Sequence, residues 1–326
     1  MRVIVYGAGA IGGVVACRLS ESGHDVSVVA RGAHLDAIRS SGLILQTPDS
    51  STSYRLDAAE DLADLDHDAG DAVVMVAVKS QDTITVLERV RSVLGPTTPV
   101  VCLQNGVDNE RQALRRFERV YGVPVMCPAS HLEPGVVQAN STPITGIFDI
   151  GRIPYGVDDV AESIAAALSA STFESVARPD IMRWKYSKLL LNLGNAIEAL
   201  CEPDARFGPL MSAVLDEGEA ALRAAGIDFA SAEEDEARRG TLLRMRRIDG
   251  QRRTGGSTWQ SLQRGTGSIE TDYLNGEIVL LGRQHGVPTP LNALLQDLAA
   301  DAAVHRRPPG GLTEADLFER IGRTYA

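Results

Sequence analysis

The stretch that decides the fold is "MRVIVYGAGAIGGVVACRLSESGHDVSVVARG", residues 1–32. It begins with β-branched residues typical of a strand, passes through a glycine-rich turn into a helix that reaches about Ser22, and ends in a second strand-like run. A glycine turn between a strand and a helix indicates a dinucleotide site, because phosphates bind the free N–H groups and the positive dipole end of a helix N-terminus. The alternative is a glycine turn that holds no ligand.

Each glycine of this turn has its own expected task. Gly7 allows the tight bend, Gly9 lets a pyrophosphate approach the backbone, and Gly12 permits close packing of the helix on the strand. Ala10 and Ile11 stand in the first helical turn, whose N–H groups would face the phosphates. These five residues are the predicted core of the cofactor-binding site.

The end of the second strand predicts which nucleotide is preferred. An NAD site usually has a carboxylate there, which binds the ribose 2′-hydroxyl. This chain has Arg31 instead, and a guanidinium suits a 2′-phosphate better than a neutral diol. We therefore expect NADP(H); the alternative is that Arg31 is only a solvated loop charge.

Two further apolar runs of strand length end in polar residues. They are "DAVVMVAVKSQD" (71–82) and "PVVCLQNGVDN" (99–109). Buried parallel strands have this composition, and ligands bind at their carboxyl ends. Lys79 and Asn105 are thus expected above the same sheet edge as the glycine turn, although either residue could serve only its own loop, Asn105 as a turn residue before Gly106.

The chain of 326 residues is long enough for two domains. Strand patterns dominate the first half and helical periodicity the second. We predict an α/β Rossmann-type domain with a mostly parallel, doubly wound sheet over residues 1–177, followed by an all-α domain over 178–326. The predicted helices of the second domain span 181–200, 208–225, 231–246, 268–285 and 291–304, with a Gly- and Ser-rich connection before the fourth.

One predicted helix carries an unusual polar strip. "RWKYSKLLLNLGNAIEAL" (183–200) is largely apolar, yet at 100° per residue Lys188, Asn192 and Asn195 fall within a narrow sector of one helix face. An ammonium can both stabilise and protonate an alkoxide, and neutral amides can orient a substrate beside it. The strip is therefore expected to face a cleft between the domains; the alternative is that Lys188 extends to solvent with the amides beside it.

Composition excludes several other classes of protein. A formal net charge of −11 argues against a nucleic-acid partner, which requires a basic surface. The four cysteines are scattered, without CxxC pairs or histidines at metal-ligand spacing, so we expect neither disulfides nor a metal site, and a reducing cytoplasm fits best. The N-terminal apolar run is interrupted by glycines and too short for a membrane span, so no membrane partner is expected.

Six short stretches together resemble the ketopantoate reductase family, whose members reduce 2-dehydropantoate to pantoate with NADPH. They are "GAGAIGG", Arg31 after the second strand, "VKSQD", "LQNGV", "KLLLN" and "ETDYLNGEIV" (270–279). Their order covers nearly the whole chain. The resemblance implies an NADP-dependent oxidoreductase of pantothenate biosynthesis that acts on a small 2-oxo acid; it leaves a homodimer open.

The resemblance also implies roles for particular residues. Lys188 matches the catalytic lysine that donates a proton, and Asn192 a substrate-binding amide one helical turn later. Asn105 and Lys79 match residues of the cleft near the nicotinamide. Glu270 matches a glutamate that contacts both cofactor ribose and substrate. The other substrate-binding residues implied are Ser257, which matches a serine that binds the substrate carboxylate, and Asn195.

The chain departs from the family pattern on the substrate side. The second helical asparagine of the family stands eight residues after the lysine, where this chain has Ala196, and Asn195 comes one residue earlier. Ser261 stands in place of an aspartate, and extra residues precede Glu270. Two alternatives therefore stay open: an NADP-dependent reductase of another branched 2-oxo acid or ketone, and a non-catalytic protein that senses NADP(H).

Overall fold

The computed structural model describes residues 1–65, 72–202, 208–251, 253 and 255–325. Contacts divide the chain into two compact units. The first comprises Met1–Lys185 and Ser231–Arg253, and the second comprises Tyr186–Ala230 and Thr254–Ala326. The described residues contain no helix with the length and apolarity needed to cross a bilayer. Within them, His, Cys, Asp and Glu side chains also form no group of three or more that could hold a metal ion.

All strands found in the described residues belong to the first unit. They are β1 Arg2–Tyr6, β2 Asp25–Val29, β3 Leu43–Gln46, β4 Ser51–Tyr54, β5 Asp57–Ala59, β6 Ala72–Val76, β7 Val100–Cys102, β8 Val120–Gly122, β9 Ala129–Ser130, β10 Val136–Ala139, β11 Gly146–Ile147, β12 Gly151–Arg152 and β13 Phe173–Glu174.

Seven of these strands form the main sheet, in the order β12-β8-β7-β6-β1-β2-β5. Every neighbouring pair is parallel except β12 and β8, which are antiparallel. The chain thus winds outward from β1 in both directions, which is the doubly wound arrangement. A four-stranded sheet, β4-β3-β10-β9, and the two-stranded pair β11-β13 accompany it. The mostly parallel sheet predicted for the N-terminal half is confirmed.

The core explains why the central strands are apolar throughout. Val3 and Val5 of β1 belong to one buried apolar cluster, and Ile4 between them belongs to a second. All three are at most 1% exposed. Since successive side chains of a strand point to opposite faces, both faces of the sheet are covered, as parallel sheets require.

The helices are α1 Ala10–Glu21, α2 Gly32–Ser41, α3 Thr83–Leu94, α4 Asp108–Leu114, α5 Asp159–Ala170, α6 Ile181–Asn192, α7 Asn195–Leu200, α8 Gly208–Ala224, α9 Ala232–Arg239, α10 Ser257–Gln263, α11 Asn275–His285, α12 Pro290–Val304 and α13 Glu314–Tyr325. The helical second half expected from the periodicity is confirmed. The predicted connection before residue 268 contains α10, and its residues Arg252 and Thr254 lie outside the described chain, as does Asp71 of the predicted strand 71–82.

The structure divides the chain elsewhere than the predicted boundary between residues 177 and 178. The first unit continues to Lys185, within α6, and takes in 231–253, which was assigned to the helical domain. Charged side chains hold this segment in the first unit: Arg238 of α9 contacts the buried carboxylate of Asp149 at 2.6 Å, and Arg183 forms an ion pair with Glu234. Contacts so far apart in sequence leave no periodic signal.

The helix predicted over 181–200 is in fact two helices, α6 and α7, separated by Leu193 and Gly194. The end of the Met211 side chain packs directly on Gly194, with its sulfur 2.7 Å from where an added Cβ would lie, so a larger residue here would require Met211 to move. The buried Asn275 donates a hydrogen bond to the Leu193 carbonyl, which satisfies an acceptor at the break. Asn195 therefore begins a new helix, so the prediction of one continuous helix is wrong, and the 100° spacing that placed Asn195 on a strip with Lys188 and Asn192 does not apply across the break.

Candidate functional site

The ends of four neighbouring strands bring the predicted nucleotide-binding residues to one edge of the main sheet. In the hydrogen-bonded register Tyr6 stands opposite both Val29 and Val76, and Val76 stands opposite Cys102. These are the last residues of β1, β2, β6 and β7. Because the strands are parallel, the segments that follow them leave the sheet at the same edge. Those segments carry the glycine turn, Arg31, Lys79 and Asn105.

The glycine turn joins β1 to α1 and is shaped by its glycines. Gly7 has φ +104°, a conformation that other residues rarely adopt, and its N–H donates to the Val29 carbonyl at 2.9 Å. A side chain at Gly12 would collide with the Gly7 carbonyl and with Ala77. Gly9 is different, since an added Cβ there would have no atom within 4 Å. Packing explains Gly7 and Gly12, whereas at Gly9 the protein itself requires no glycine.

This geometry fits a dinucleotide cofactor. Gly9 is the residue before the first turn of α1, and Ala10 and Ile11 stand in that turn, half-buried. First-turn N–H groups have no acceptor within their own helix, and they present the positive end of the helix dipole. The open space at Gly9 is where a diphosphate would approach the backbone, because a side chain there would fill it.

Arg31 follows β2 and is the residue before the first turn of α2. Its side chain is 82% exposed, and its Nη2 lies 3.4 Å from Oδ2 of Asp82. Surface ion pairs of this kind contribute only about 0–1 kcal/mol, so the guanidinium is not committed to this partner.

A histidine that the sequence analysis did not single out supports the turn. His34 of α2 contacts the Ala8 carbonyl through Nε2 at 2.7 Å, and the Gly135 N–H donates to its Nδ1 at 2.9 Å. Nδ1 is therefore the acceptor and Nε2 carries the proton. Burial lowers the pKa of His34, an effect that the bond to Ala8 partly offsets. The ring lies 4.2 Å from that of His131, centroid to centroid. His34 thus joins the glycine turn to the loop before β10 in its neutral form.

Lys79 and Asn105 lie on two loops that a buried network ties together. Both residues are half-buried and follow β6 and β7. Gln104 donates from Nε2 to the Val78 carbonyl and to Thr83 Oγ1, both at 2.8 Å. Asn109 donates from Nδ2 to the Asn105 carbonyl at 2.9 Å. The two loops are therefore held in one fixed arrangement at the sheet edge.

A buried ion pair that the sequence did not predict lies beside these loops. Lys185 of α6 and Glu110 of α4 are each 1% exposed at the side chain, and Nζ lies 2.5 Å from Oε1. Burial raises the pKa of Glu110, and the ammonium opposes that shift. Burial also raises the pKa of the Cys102 thiol at the end of β7, and the Glu110 carboxylate raises it further. The pair joins residues 75 positions apart, so spacing could not reveal it.

The second unit holds the remaining predicted residues. Lys188 is half-buried and Asn192 is 4% exposed, one turn apart on α6. Residues at this spacing lie on the same face of a helix, so this part of the predicted strip is retained.

The residue before Ser257 packs against Asn195, which begins α7. Ser257 begins α10, and the preceding Gly256 packs so closely on α7 that an added Cβ would lie 3.5 Å from Asn195 Oδ1. The Gly256 N–H donates to Glu198 Oε2 at 2.9 Å. Ser261, which replaces the aspartate of the family pattern, donates from its hydroxyl to the Ser257 carbonyl at 2.8 Å.

Glu270 lies just before a short 3₁₀ helix, Thr271–Tyr273, and is half-buried. Its charge acts on Arg264: burial lowers the pKa of that guanidinium, and the Glu270 carboxylate partly offsets the shift. Ala196, the position of the family's second helical asparagine, is 1% exposed within α7. An apolar residue suits that buried position.

Comparisons with known proteins agree with this arrangement. Residues 3–154 match the family described as ketopantoate reductase PanE/ApbA, and residues 180–303 match its C-terminal part. A 2-dehydropantoate 2-reductase of Mesorhizobium japonicum is 30% identical and aligns with 94% of this chain and 99% of its own length.

Solved structures give the same result. A PanE/ApbA family ketopantoate reductase from Ralstonia eutropha superposes with a TM-score of 0.77 at 26% identity, covering 94% of this chain and 100% of that protein. A D-mandelate dehydrogenase bound to NADH and anilino(oxo)acetate shares the fold, with a TM-score of 0.78 at 20% identity and coverage of 94% and 100%. Both halves of the sequence and both units of the structure thus lead to one conclusion: the chain belongs to the ketopantoate reductase family of pyridine nucleotide-dependent oxidoreductases.

Proposed function

We propose that this protein reduces a 2-oxo acid with NADPH, and that its substrate is 2-dehydropantoate, which it converts to pantoate. The observation that carries the proposal is the double family match, over residues 3–154 and 180–303. A nucleotide-binding module alone would account for the first match. The second match adds the half of the family that carries Lys188, Asn192, Ser257 and Glu270.

The nucleotide-binding residues in this proposal are the glycine turn and Arg31. The N–H groups of the first turn of α1 bind the diphosphate, with Gly9 leaving the space free, and Arg31 binds the 2′-phosphate. When bound, NADPH supplies the hydride that the substrate carbon accepts. Lys79 and Asn105, on loops at the same sheet edge, bind the nicotinamide half.

Lys188 is the proton donor in this proposal. The carbonyl oxygen of the substrate becomes an alkoxide as its carbon is reduced, and an ammonium can stabilise that charge and then protonate it. The composition supports this role: of the 32 Lys and Arg residues only three are lysine, at 79, 185 and 188. Arginine cannot release its proton at physiological pH, so a chain that otherwise uses arginine would need lysine where a proton is transferred.

The remaining polar residues of the second unit bind the substrate. Asn192 is a neutral amide on the same face of α6 as Lys188, so it orients the substrate without reducing the positive charge of the lysine. Asn195 and Ser257 bind the carboxylate end; the close packing of Gly256, the neighbour of Ser257, on Asn195 supports this assignment. Glu270 contacts the substrate and the cofactor ribose.

A second candidate is the reduction of a different 2-oxo acid. The observation in its favour is the break at Leu193 and Gly194, which moves Asn195 onto α7 and places the apolar Ala196 at the family's asparagine position. The D-mandelate dehydrogenase with the same fold has anilino(oxo)acetate bound in its structure, a larger 2-oxo acid derivative.

The test is an assay of NADPH oxidation with 2-dehydropantoate and with a panel of branched and aromatic 2-oxo acids. The loss of absorbance of the reduced nicotinamide measures the rate. The proposal predicts the highest kcat/KM for 2-dehydropantoate, with pantoate as the product. A higher kcat/KM for another member of the panel supports the second candidate. NADPH binding without turnover of any member would instead support a nucleotide-sensing protein.

A further inference from the structure

Lys185 is a buried lysine that the proposed chemistry does not use. It is one of three lysines in a chain with 29 arginines, and its side chain is 1% exposed. A buried ammonium is costly unless acceptors surround it, so the presence of a lysine at this buried position needs an explanation. We propose that Lys185 is a positioning residue that holds Asn105 in place for the reduction. The inference rests on the proposed function, in which Asn105 belongs to the nicotinamide site.

The contacts of Lys185 converge on the segment before Asn105. Nζ donates to the Gln104 carbonyl at 2.9 Å and lies 3.4 Å from the Val123 carbonyl and 2.5 Å from Glu110 Oε1. An ammonium is surrounded here by two carbonyl oxygens that accept hydrogen bonds from it and by the carboxylate that balances its charge. The Gln104 carbonyl belongs to the peptide group that precedes Asn105, so the lysine fixes that peptide plane.

Asn109 holds the other side of Asn105. Its Nδ2 donates to the Asn105 carbonyl at 2.9 Å and to Ser80 Oγ at 3.2 Å, and its Oδ1 accepts from Thr83 at 2.8 Å. Asn109 is 1% exposed. The peptide groups before and after Asn105 are therefore both anchored by buried side chains.

The space around Lys185 suits the unbranched stem and compact ammonium of a lysine. Gly122, at the end of β8, packs on the lysine stem, so that a Cβ added there would lie 3.2 Å from Lys185 Cδ and 3.4 Å from Glu110 Oε1. A planar guanidinium is larger than an ammonium and presents its donors in a fixed fork. Three acceptors around a single nitrogen suit the compact group. If the pair only stabilised the core, the acceptors around Lys185 would not have to include a carbonyl of the loop that carries Asn105.

Glu110 provides the charge that keeps the ammonium buried. The two groups lie on α6 and α4, and removing Lys185 alone would leave an uncompensated carboxylate in the core. A test of positioning must therefore remove both charges together. Glu110→Gln alone is the reference, because a buried lysine without its carboxylate can lose a proton and become neutral, and the neutral amine still donates to the Gln104 carbonyl.

The experiment compares Glu110→Gln with the double variant Lys185→Met/Glu110→Gln, which differ only at Lys185. Two properties are measured. The first is hydrogen exchange of the backbone amides of residues 103–110, and the second is the steady-state kinetics with NADPH and the accepted 2-oxo acid. We expect faster exchange of this segment in the double variant. We also expect kcat/KM to fall by about 10-fold or more relative to Glu110→Gln, because small misplacements of a binding group are costly to rate. If the double variant does not fold, Lys185→Gln/Glu110→Gln, whose shorter side chain cannot reach the Gln104 carbonyl, takes its place.

Asp149→Asn is the control for a general loss of stability. Asp149 is a buried carboxylate of the same unit, paired with Arg178 and Arg238. The Asp149→Asn substitution should lower the melting temperature and leave the kinetics of the folded protein unchanged. The inference is overturned if the double variant keeps normal exchange in 103–110, or if exchange rises while kcat/KM stays at the Glu110→Gln value. Absence of turnover in the unmutated protein would refute the proposed function instead, and NADPH affinity would then replace kcat/KM in the comparison.

Discussion

The carbonyl of Gly7 lies against the α-carbon of Gly12 so closely that no side chain fits between them, whereas Gly9, midway between the two in sequence, faces open space. Glycine is thus needed at these three positions of one turn for two different reasons. Gly7 and Gly12 are required by the fold, whereas for Gly9 we propose that the requirement comes from the diphosphate that the turn binds.

This difference predicts opposite outcomes for the same substitution. Gly9→Ala should lower the free energy of unfolding by less than about 1 kcal/mol, since the backbone is extended and the added methyl meets nothing. It should weaken NADPH binding by about 10-fold or more, because the methyl occupies the space of the diphosphate. Gly12→Ala, the matched control, should cost about 1–3 kcal/mol of stability through overpacking. Thermal unfolding measures the stability of the two variants, and NADPH titration measures their affinity for the cofactor. Equal losses of stability in Gly9→Ala and Gly12→Ala would refute the different roles of the two glycines.

Arg31 should set the cofactor preference. We expect NADPH to bind more tightly than NADH, and Arg31→Ala to remove about 10- to 100-fold of that difference, the value of one or two charge-assisted hydrogen bonds to a phosphate. Arg39→Ala, on the same helix with a bond to the Ala58 carbonyl, is the control for loss of a surface charge. Fluorescence titrations at fixed ionic strength give the four affinities needed. Equal affinities for NADPH and NADH in the unmutated protein would contradict the assignment.

His34 predicts a pH dependence of the turn. Because burial lowers its pKa in the folded state, the folded protein favours the neutral ring, and the stabilisation is complete above the ordinary value of about 6.5. It is lost as the pH falls through the lower, folded-state pKa, where a proton on Nδ1 would face the Gly135 N–H. NADPH affinity in the unmutated protein should therefore decline as the pH falls through this lowered pKa of His34. His34→Gln, which does not titrate, should show a flatter profile, and identical profiles would exclude His34 as the cause.

Much of the first unit could be predicted from sequence because its signals are local. The strand, glycine turn and helix of residues 1–32 fix the direction of the first βα unit, and the apolar runs that follow indicate buried parallel strands. The edge position of Lys79 and Asn105 then follows from strand direction alone. The four-stranded sheet could not be predicted, since β3 and β10 pair across about 90 residues.

The missed helix break and the missed role of Lys185 also depend on contacts between residues remote in sequence. Gly194 looks like an ordinary helical glycine until Met211 is known to press against it, and Asn275, which satisfies the Leu193 carbonyl, is 82 residues away. Lys185 was overlooked because it stands beside Lys188 on the same predicted helix, and its partner Glu110 is remote. The count of three lysines was a usable signal for it.

Asn192 and Lys188 should differ in the kind of defect that they produce. Asn192→Ala removes a neutral contact that is present in the bound substrate and in the transition state alike, so KM should rise by about 10-fold with kcat changed less. The measurement is a full kinetic profile with 2-dehydropantoate at saturating NADPH. A fall in kcat with an unchanged KM would mean that Asn192 acts on the chemical step.

The most direct test of the account is the kcat of Lys188→Ala. The account predicts a fall of about 100-fold or more with NADPH affinity unchanged within about 2-fold, because the alkoxide loses its proton source while the glycine turn and Arg31 are untouched. A Lys188→Ala protein that keeps a kcat close to that of the unmutated enzyme would show that Lys188 is not the proton donor.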